Sequence, residues 1–345
     1  MALFKARIRR FPVALIVVAV WAAIALQRGC RSYKLPDETD DGLWKEEDVG
    51  EVVRRSSSNG LWNRNIAFVK TNPGLLQNFE LCALYSAAMH NPHSRVVVNM
   101  LTPQELPESL LRLGNVHVQQ LDYRDLFANT PLEEWYREGL WNDSAVSVRR
   151  RFLHFSDTFR FAYLYKEGGL YLDLDVITLR PMGQLVNFMA FEDEARLALQ
   201  TETLSFSRGH PYLYLVMSVY KTKFRPSLPA WLMGPALITE VLHKYKRMYK
   251  THSHEEDTQG KGWDVALLSH LYINPLPQFE AEKMLSGDED DRVRLDQAYT
   301  THLARGALLE KFKTIGRLAP NSLLAKVVRR HCPPFQDMEE FMRNN

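Results

Sequence analysis

The 345-residue sequence predicts an α/β fold with a mixed, mostly parallel central sheet. Three features carry that expectation. Short β-branched runs alternate with amphipathic stretches through the first half of the chain. A Gly168-Gly169 pair then stops a long helical stretch. The β-prone run after it bears two aspartates, Asp173 and Asp175, at the position where a parallel sheet places its chemistry.

Taken in order, residues 65–71 read as the first strand, ending in a Pro-Gly turn. Residues 75–90 read as a helix, 95–101 as a buried strand, 104–113 as a second helix and 116–121 as a third strand. Such alternation implies right-handed crossovers, with ligands bound beyond the strand C-termini where strand order reverses. Residues 131–141 and 149–167 are expected to be helical, and 170–180 to form the central strand and its continuation. Downstream, short strands are predicted at 197–200, 203–206 and 299–303, with helices at 210–221, 234–249 and 322–331. The polar segments 251–262 and 286–291 read as solvated loops, and His252 and His254 have no neighbouring residues that complete a metal set.

Side chains two apart on a strand share a face, so Asp173 and Asp175 are expected to point at one cation while Leu172, Leu174 and Val176 enter the core. Two carboxylates embedded in an apolar run would repel each other and lose hydration unless a cation compensates. Hard oxygen donors with room for water and phosphate suit Mg²⁺ or Mn²⁺ rather than zinc. One turn apart on the preceding helix, Asp157 and Arg160 make either an ordinary i, i+3 pair or part of the same site.

The string S-D-x-x-R followed by G-G-x-Y-x-D-x-D resembles the glycosyltransferases with a D-x-D sugar-binding region, and more narrowly the α1,4-glycosyltransferases. Supporting matches include Lys70-Thr71-Asn72-Pro73, Ser86-Ala87-Ala88, His210-Pro211, Gly234-Pro235, His302 and Cys332-Pro333, so the resemblance runs from about Ile66 to Pro333. It implies a single GT-A-like domain over residues 65–345, a UDP-sugar donor and a Mn²⁺ (or Mg²⁺) cofactor. It also implies transfer of a hexose or N-acetylhexosamine, galactose by default, in α1,4 linkage with retention, to a glycosphingolipid or related glycan. The departing phosphate would itself take the acceptor's proton, so no dedicated base is needed. On this resemblance Asp173 and Asp175 hold the metal, with His302 as a third candidate. Asp157 and Arg160 hold the donor sugar, Gly169 and Gly234 line the substrate, and Thr71 lies where the uracil docks. Two residues keep alternatives: Tyr171 packs near the nucleotide or is simply buried, and His302 is a ligand or an ordinary hydrogen-bonded histidine.

Some positions depart from the family pattern. Gln200-Thr201-Glu202-Thr203 replaces an Asn-Gly-Ala-like run, Trp231-Leu232-Met233 stands where polar residues are usual, Leu303-Ala304-Arg305 follows His302, and Leu84-Tyr85 replaces a Glu. These changes motivate a rival expectation: a catalytically impaired paralogue that binds UDP and serves as partner or chaperone of an active transferase.

The balance of 43 basic against 41 acidic residues, with no basic block, predicts no nucleic-acid partner. Residues 1–10 are basic and 11–26 uncharged, slightly shorter than the about 20 residues of a comfortable membrane span. Cleaved signal and uncleaved anchor both fit this run. The resemblance implies the anchor, in a single-pass type II Golgi membrane protein with a cytoplasmic tail at 1–10, a flexible stem at 27–64 and a lumenal catalytic domain. A homodimer or a complex with another transferase is compatible with that setting. Of three cysteines, Cys82 and Cys332 are the candidate disulfide pair, although Cys82 also suits a buried apolar site, and Cys30 is left beside the membrane. Asn142-Asp143-Ser144 is a glycosylation sequon.

Overall fold

The computed structural model describes residues 64–142, 146–183, 185–193, 197–252, 265–315, 318–335 and 337–343. The expected tail, span, stem and Cys30 lie outside them, as does most of the sequon. Among the described residues no helix is long and apolar enough to cross a membrane.

Three β-rich segments open the domain: β1 (Asn65–Lys70), β2 (Arg95–Met100) and β3 (Val116–Gln120). They pair in parallel, with Ile66 opposite Val96 and Val96 opposite Val116. Between them run α1 (Asn78–His90) and the short α2 (Glu108–Leu111). The first begins later than periodicity suggests, because the Glu80 carboxylate accepts from the Gln77 N–H (2.8 Å) and fixes the helix start there. Pro107 shortens the second: it has no N–H to join a helix, so the first turn forms after it.

Helices α3 (Tyr123–Phe127), α4 (Leu132–Arg137) and the long α5 (Val148–Glu167) follow. The last is capped by the Ser147 hydroxyl and stopped by Gly168. Gly168 has φ +70, and a Cβ there would meet the Arg208 backbone N at 2.7 Å, so both conformation and space demand glycine.

The chain then enters β4 (Gly169–Leu172), which lies parallel to β1 on the side away from β2. Strand order runs β3-β2-β1-β4, so the winding reverses between β1 and β4. Such a reversal places the ligand crevice beyond the strands' C-terminal ends, and here Thr71 and Asp173 follow the two strands. Ile66, Phe68, Val96, Val98, Leu170 and Leu172 join α1 in the main core. On the opposite face Tyr171 meets Phe159 of α5, ring centroids 6.1 Å apart.

One expectation is corrected here. Residues 170–180 do not form one strand: β4 ends at Leu172, β5 covers Val176–Thr178, and Asp173-Leu174-Asp175 turns between them. The Val176 N–H donates to the Asp173 carbonyl (3.0 Å), closing a β-turn. Strand alternation therefore does not aim the two carboxylates. Leu174 is only half-buried, packed against the core's edge.

The second half of the sheet is mostly antiparallel. β6 (Phe188–Asp193), β7 (Ala198–Leu199) and β8 (Thr203–Phe206) fold back, with β8 antiparallel to β4 and to β6. Helices α6 (Pro211–Lys223), α7 (Ala230–Met233) and α8 (Pro235–His252) come next, and β9 (Ala266–Leu268) adds to β6 in parallel. α9 (Glu289–Gln297) occupies part of the stretch read as an acidic loop, because Asp288 accepts from the N–H groups of Asp290 and Asp291 and starts a helix. Finally β10 (Thr300–His302) pairs antiparallel with β5, followed by α10 (Arg305–Ile315), α11 (Leu323–His331) and α12 (Met338–Arg343). A disulfide joins Cys82 of α1 to Cys332 after α11, with Cα atoms 5.3 Å apart.

Candidate active site

The fold gathers the acidic residues at the β1/β4 crevice through backbone contacts. The Asp173 N–H donates to the Glu202 carbonyl (2.9 Å), tying the turn to the start of β8. The β5–β10 pairing sets His302 opposite Val176, and the Leu303 N–H donates to the Asp175 carbonyl (2.9 Å). His302 is thereby brought next to a residue far away in sequence.

Arg160 is the centre of the donor side. It is 4% exposed, and its guanidinium donates to the Thr201 carbonyl (2.5 Å), the Ser156 carbonyl (3.2 Å) and the Ser156 hydroxyl (3.0 Å). Its Nη2 stands 3.2 Å from Asp173 Oδ1 and 3.5 Å from Asp157 Oδ1. Tyr171 lies beneath, the guanidinium carbon 4.8 Å above its ring, and its hydroxyl donates to Asp173 Oδ1 (2.5 Å). Fully buried, Tyr171 reaches the site through Asp173. Gly169, with φ +106, starts β4 opposite Phe206, at the end of the strand away from Asp173, so the structure does not bring this expected substrate-lining residue to the cluster.

Asp157 is buried beneath Gly234, the residue between α7 and α8, and among the described residues its Oδ2 has no hydrogen-bond partner. Burial pushes its carboxyl up to about 7; Arg160 opposes this, while Asp173 and Glu202 add to it. Asp173 is raised too, by burial above all and by the charge of Asp175, against Arg160. Asp175 behaves oppositely. Burial would raise it, but His302 and the Arg305 N–H bring it down to about 2. His302 Nε2 lies 3.3 Å from Asp175 Oδ1, and Arg305 N–H donates to Oδ2 (3.0 Å) from the first turn of α10. Ala304, at φ +45, supplies the left-handed turn that delivers this N–H. Although burial works against it, the His302 imidazole is driven up to about 10 by Asp175, Glu202 and Asp173.

Arg305 also bonds the Gln77 side chain and stands 3.6 Å from Glu80, whose carboxylate holds the buried Lys70 ammonium at 2.8 Å. This network joins the end of β1, and so Thr71, to the start of α10.

Asp157, Asp173, Asp175 and Glu202 outnumber the neighbouring cationic side chains Arg160, His302 and Arg305. The Asp173 and Asp175 side chains each keep 22% exposure, so a small cation and substrate oxygens can reach them. Among the described residues no three His, Cys, Asp or Glu side chains are already arranged around one ion position. The donor set nonetheless fits Mg²⁺ or Mn²⁺, which take one or two carboxylates and leave remaining positions to phosphate and water.

The structure thus brings Asp157, Arg160, Tyr171, Asp173, Asp175, Gly234 and His302 together, with Thr71 at the end of the neighbouring strand β1. Sequence reasoning missed the contributions of Glu202 and Arg305. Their only signal was that both stand in stretches departing from the family pattern.

Comparison with known proteins gives two matching family profiles. The glycosyltransferase sugar-binding region containing the DXD motif covers residues 78–194, and the alpha 1,4-glycosyltransferase conserved region covers 205–338. The chain is 30% identical to human lactosylceramide 4-alpha-galactosyltransferase over 295 residues, covering 80% of this chain and 77% of that protein. It is also 30% identical to the rat protein of that name over 284 residues, 76% of this chain and 71% of the relative. Identity to human alpha-1,4-N-acetylglucosaminyltransferase is 27%, over 78% of this chain and 79% of that one. Among solved structures, the PaToxG glycosyltransferase aligns at 15% identity and TM-score 0.42, over 59% of this chain and 79% of that one.

Proposed function

This chain belongs to the DXD-containing α1,4-glycosyltransferases, and on that premise we propose that it transfers a hexose or N-acetylhexosamine from a UDP-sugar to a glycosphingolipid or related glycan. Galactose is the default donor sugar, the new linkage is α1,4 with retention, and the setting is the Golgi membrane. The observation that carries the reading is the convergence of Asp173, Asp175 and His302 at the β1/β4 crevice, with Arg160 beside them.

Asp173, Asp175 and His302 would hold Mn²⁺, which when bound neutralises the diphosphate leaving group. Arg160 fixes the Asp173 carboxylate on one side and the Thr201 carbonyl on the other, so the donor pocket is rigid before substrate arrives. The Asp157 oxygen that has no partner among the described residues would accept from a sugar hydroxyl once the α7–α8 junction that encloses it gives way. The carboxylates are committed to cation and sugar, and no residue is assigned as a base. Incubating the purified chain with a UDP-sugar panel, lactosylceramide and Mn²⁺ tests this. Transfer that requires Mn²⁺ and is lost in Asp173→Ala and Asp175→Ala is expected; transfer surviving both changes contradicts the metal assignment.

A second reading is motivated by Glu202, an added carboxylate in the donor pocket, and by the enclosure of Asp157. It makes the chain a UDP-binding partner of another transferase, without turnover of its own. Turnover by the isolated chain would dispose of it.

A further inference from the structure

We propose that Glu202 is a positioning residue, holding His302 so that one ring nitrogen is offered to the cation beside Asp175. The inference deepens the metal reading above and rests on it. The His302 ring lies between two carboxylates: Nε2 is 3.3 Å from Asp175 Oδ1, and Nδ1 is 3.8 Å from Glu202 Oε1. A neutral imidazole has one N–H and one lone pair. For Nε2 to give its lone pair to a cation next to Asp175, the imidazolium must release its Nε2 proton to solvent as the cation binds and keep the one on Nδ1, facing Glu202. A carboxylate at that nitrogen selects this tautomer and orients the ring, as acidic partners of metal-bound histidines generally do.

Glu202 is itself held for this task. Its backbone carbonyl accepts from the Asp173 N–H, and its Oε2 accepts from the Thr201 N–H (2.8 Å). Thr201 is in turn clamped through its carbonyl by Arg160. With one oxygen so fixed, the other faces the imidazole. The 3.8 Å gap is ion-pair distance rather than a hydrogen bond. Because the two ring nitrogens point apart, an ion at Nε2 is out of reach of Glu202, so this carboxylate positions rather than ligates.

Glu202 falls between the two family segments, which end at residue 194 and resume at 205, and within the run that departs from the family pattern.

The test is Mn²⁺ titration of the full chain with UDP present, free Mn²⁺ being read by electron paramagnetic resonance. Glu202→Ala should weaken Mn²⁺ binding by about 10- to 100-fold. Glu202→Gln, whose amide oxygen still accepts from Nδ1–H, should weaken it less. Because Glu202 acts through His302, the Glu202→Ala/His302→Ala double variant should bind like His302→Ala alone. Wild-type affinity in both Glu202 variants, or additive losses in the double variant, overturns the inference and leaves the metal reading standing. Failure of the wild-type chain to bind Mn²⁺ overturns both.

Discussion

A Cβ on Gly234 would stand 2.9 Å from Asp157 Oδ1, closer than non-bonded atoms pack. The absent side chain is what lets the α7–α8 junction close over the Asp157 carboxylate. Gly234→Ala should therefore push that carboxylate from its place with little effect on the sheet. We expect a fall in kcat/KM for the UDP-sugar of about 10- to 100-fold, the cost of a displacement near 1 Å at a positioned group. Donor-saturation kinetics beside a thermal melt check this. Unchanged kinetics would mean that Asp157 does not touch the donor.

Asp157 also makes a pH prediction. Its folded-state value near 7 lies above the ordinary 3.8, so between about pH 4 and 7 the folded chain keeps a proton that the unfolded chain has released. Stability without cation should fall as pH rises through that window and level off above it. Asp157→Asn removes this contribution and should be the more stable protein at pH 8, by on the order of a few kcal/mol, with the difference fading toward pH 4. Urea denaturation at several pH values decides it; a constant difference would contradict the raised carboxyl.

The Cys82–Cys332 bridge closes a loop with a sequence separation of 250 and pins α1 to the segment after α11. Cys332→Ser should cost about 2–5 kcal/mol. Because α1 carries Glu80, which joins Lys70 and Arg305 at the crevice, the reduced protein should also lose donor affinity. Parallel melts and UDP titrations with and without reductant measure both effects. Reduction without any change in melting would remove the bridge from the account.

The parallel half of the fold was legible because it is written in local pattern. The runs Ile66–Val69 and Val96–Val98 are continuously apolar, and the Ser147 cap and Gly168 stop bracket α5. The D-x-D geometry was not legible in the same way. A strand and a strand–turn–strand share the sequence Leu172-Asp-Leu-Asp-Val176, and only the long-range pairing of β5 with β10 selects the turn. The α9 helix was hidden by its charges, since local composition does not weigh an Asp288 cap against solvation. Glu202 and Arg305 were invisible as site residues for a related reason. Each reaches the aspartates through contacts with segments distant in sequence, which no local spacing encodes.

The central claim is that the Asp173–Asp175 turn grips a divalent cation together with the donor's diphosphate. Isothermal titration of UDP into the purified chain, with and without Mn²⁺, tests it most directly when wild type and Asp175→Asn are compared. The account predicts UDP binding that Mn²⁺ tightens at least about tenfold in the wild type and far less in Asp175→Asn, since that substitution removes one of the cation's two anionic donors. Equal UDP affinity with and without Mn²⁺ in the wild type, or full retention of the Mn²⁺ effect in Asp175→Asn, would contradict it.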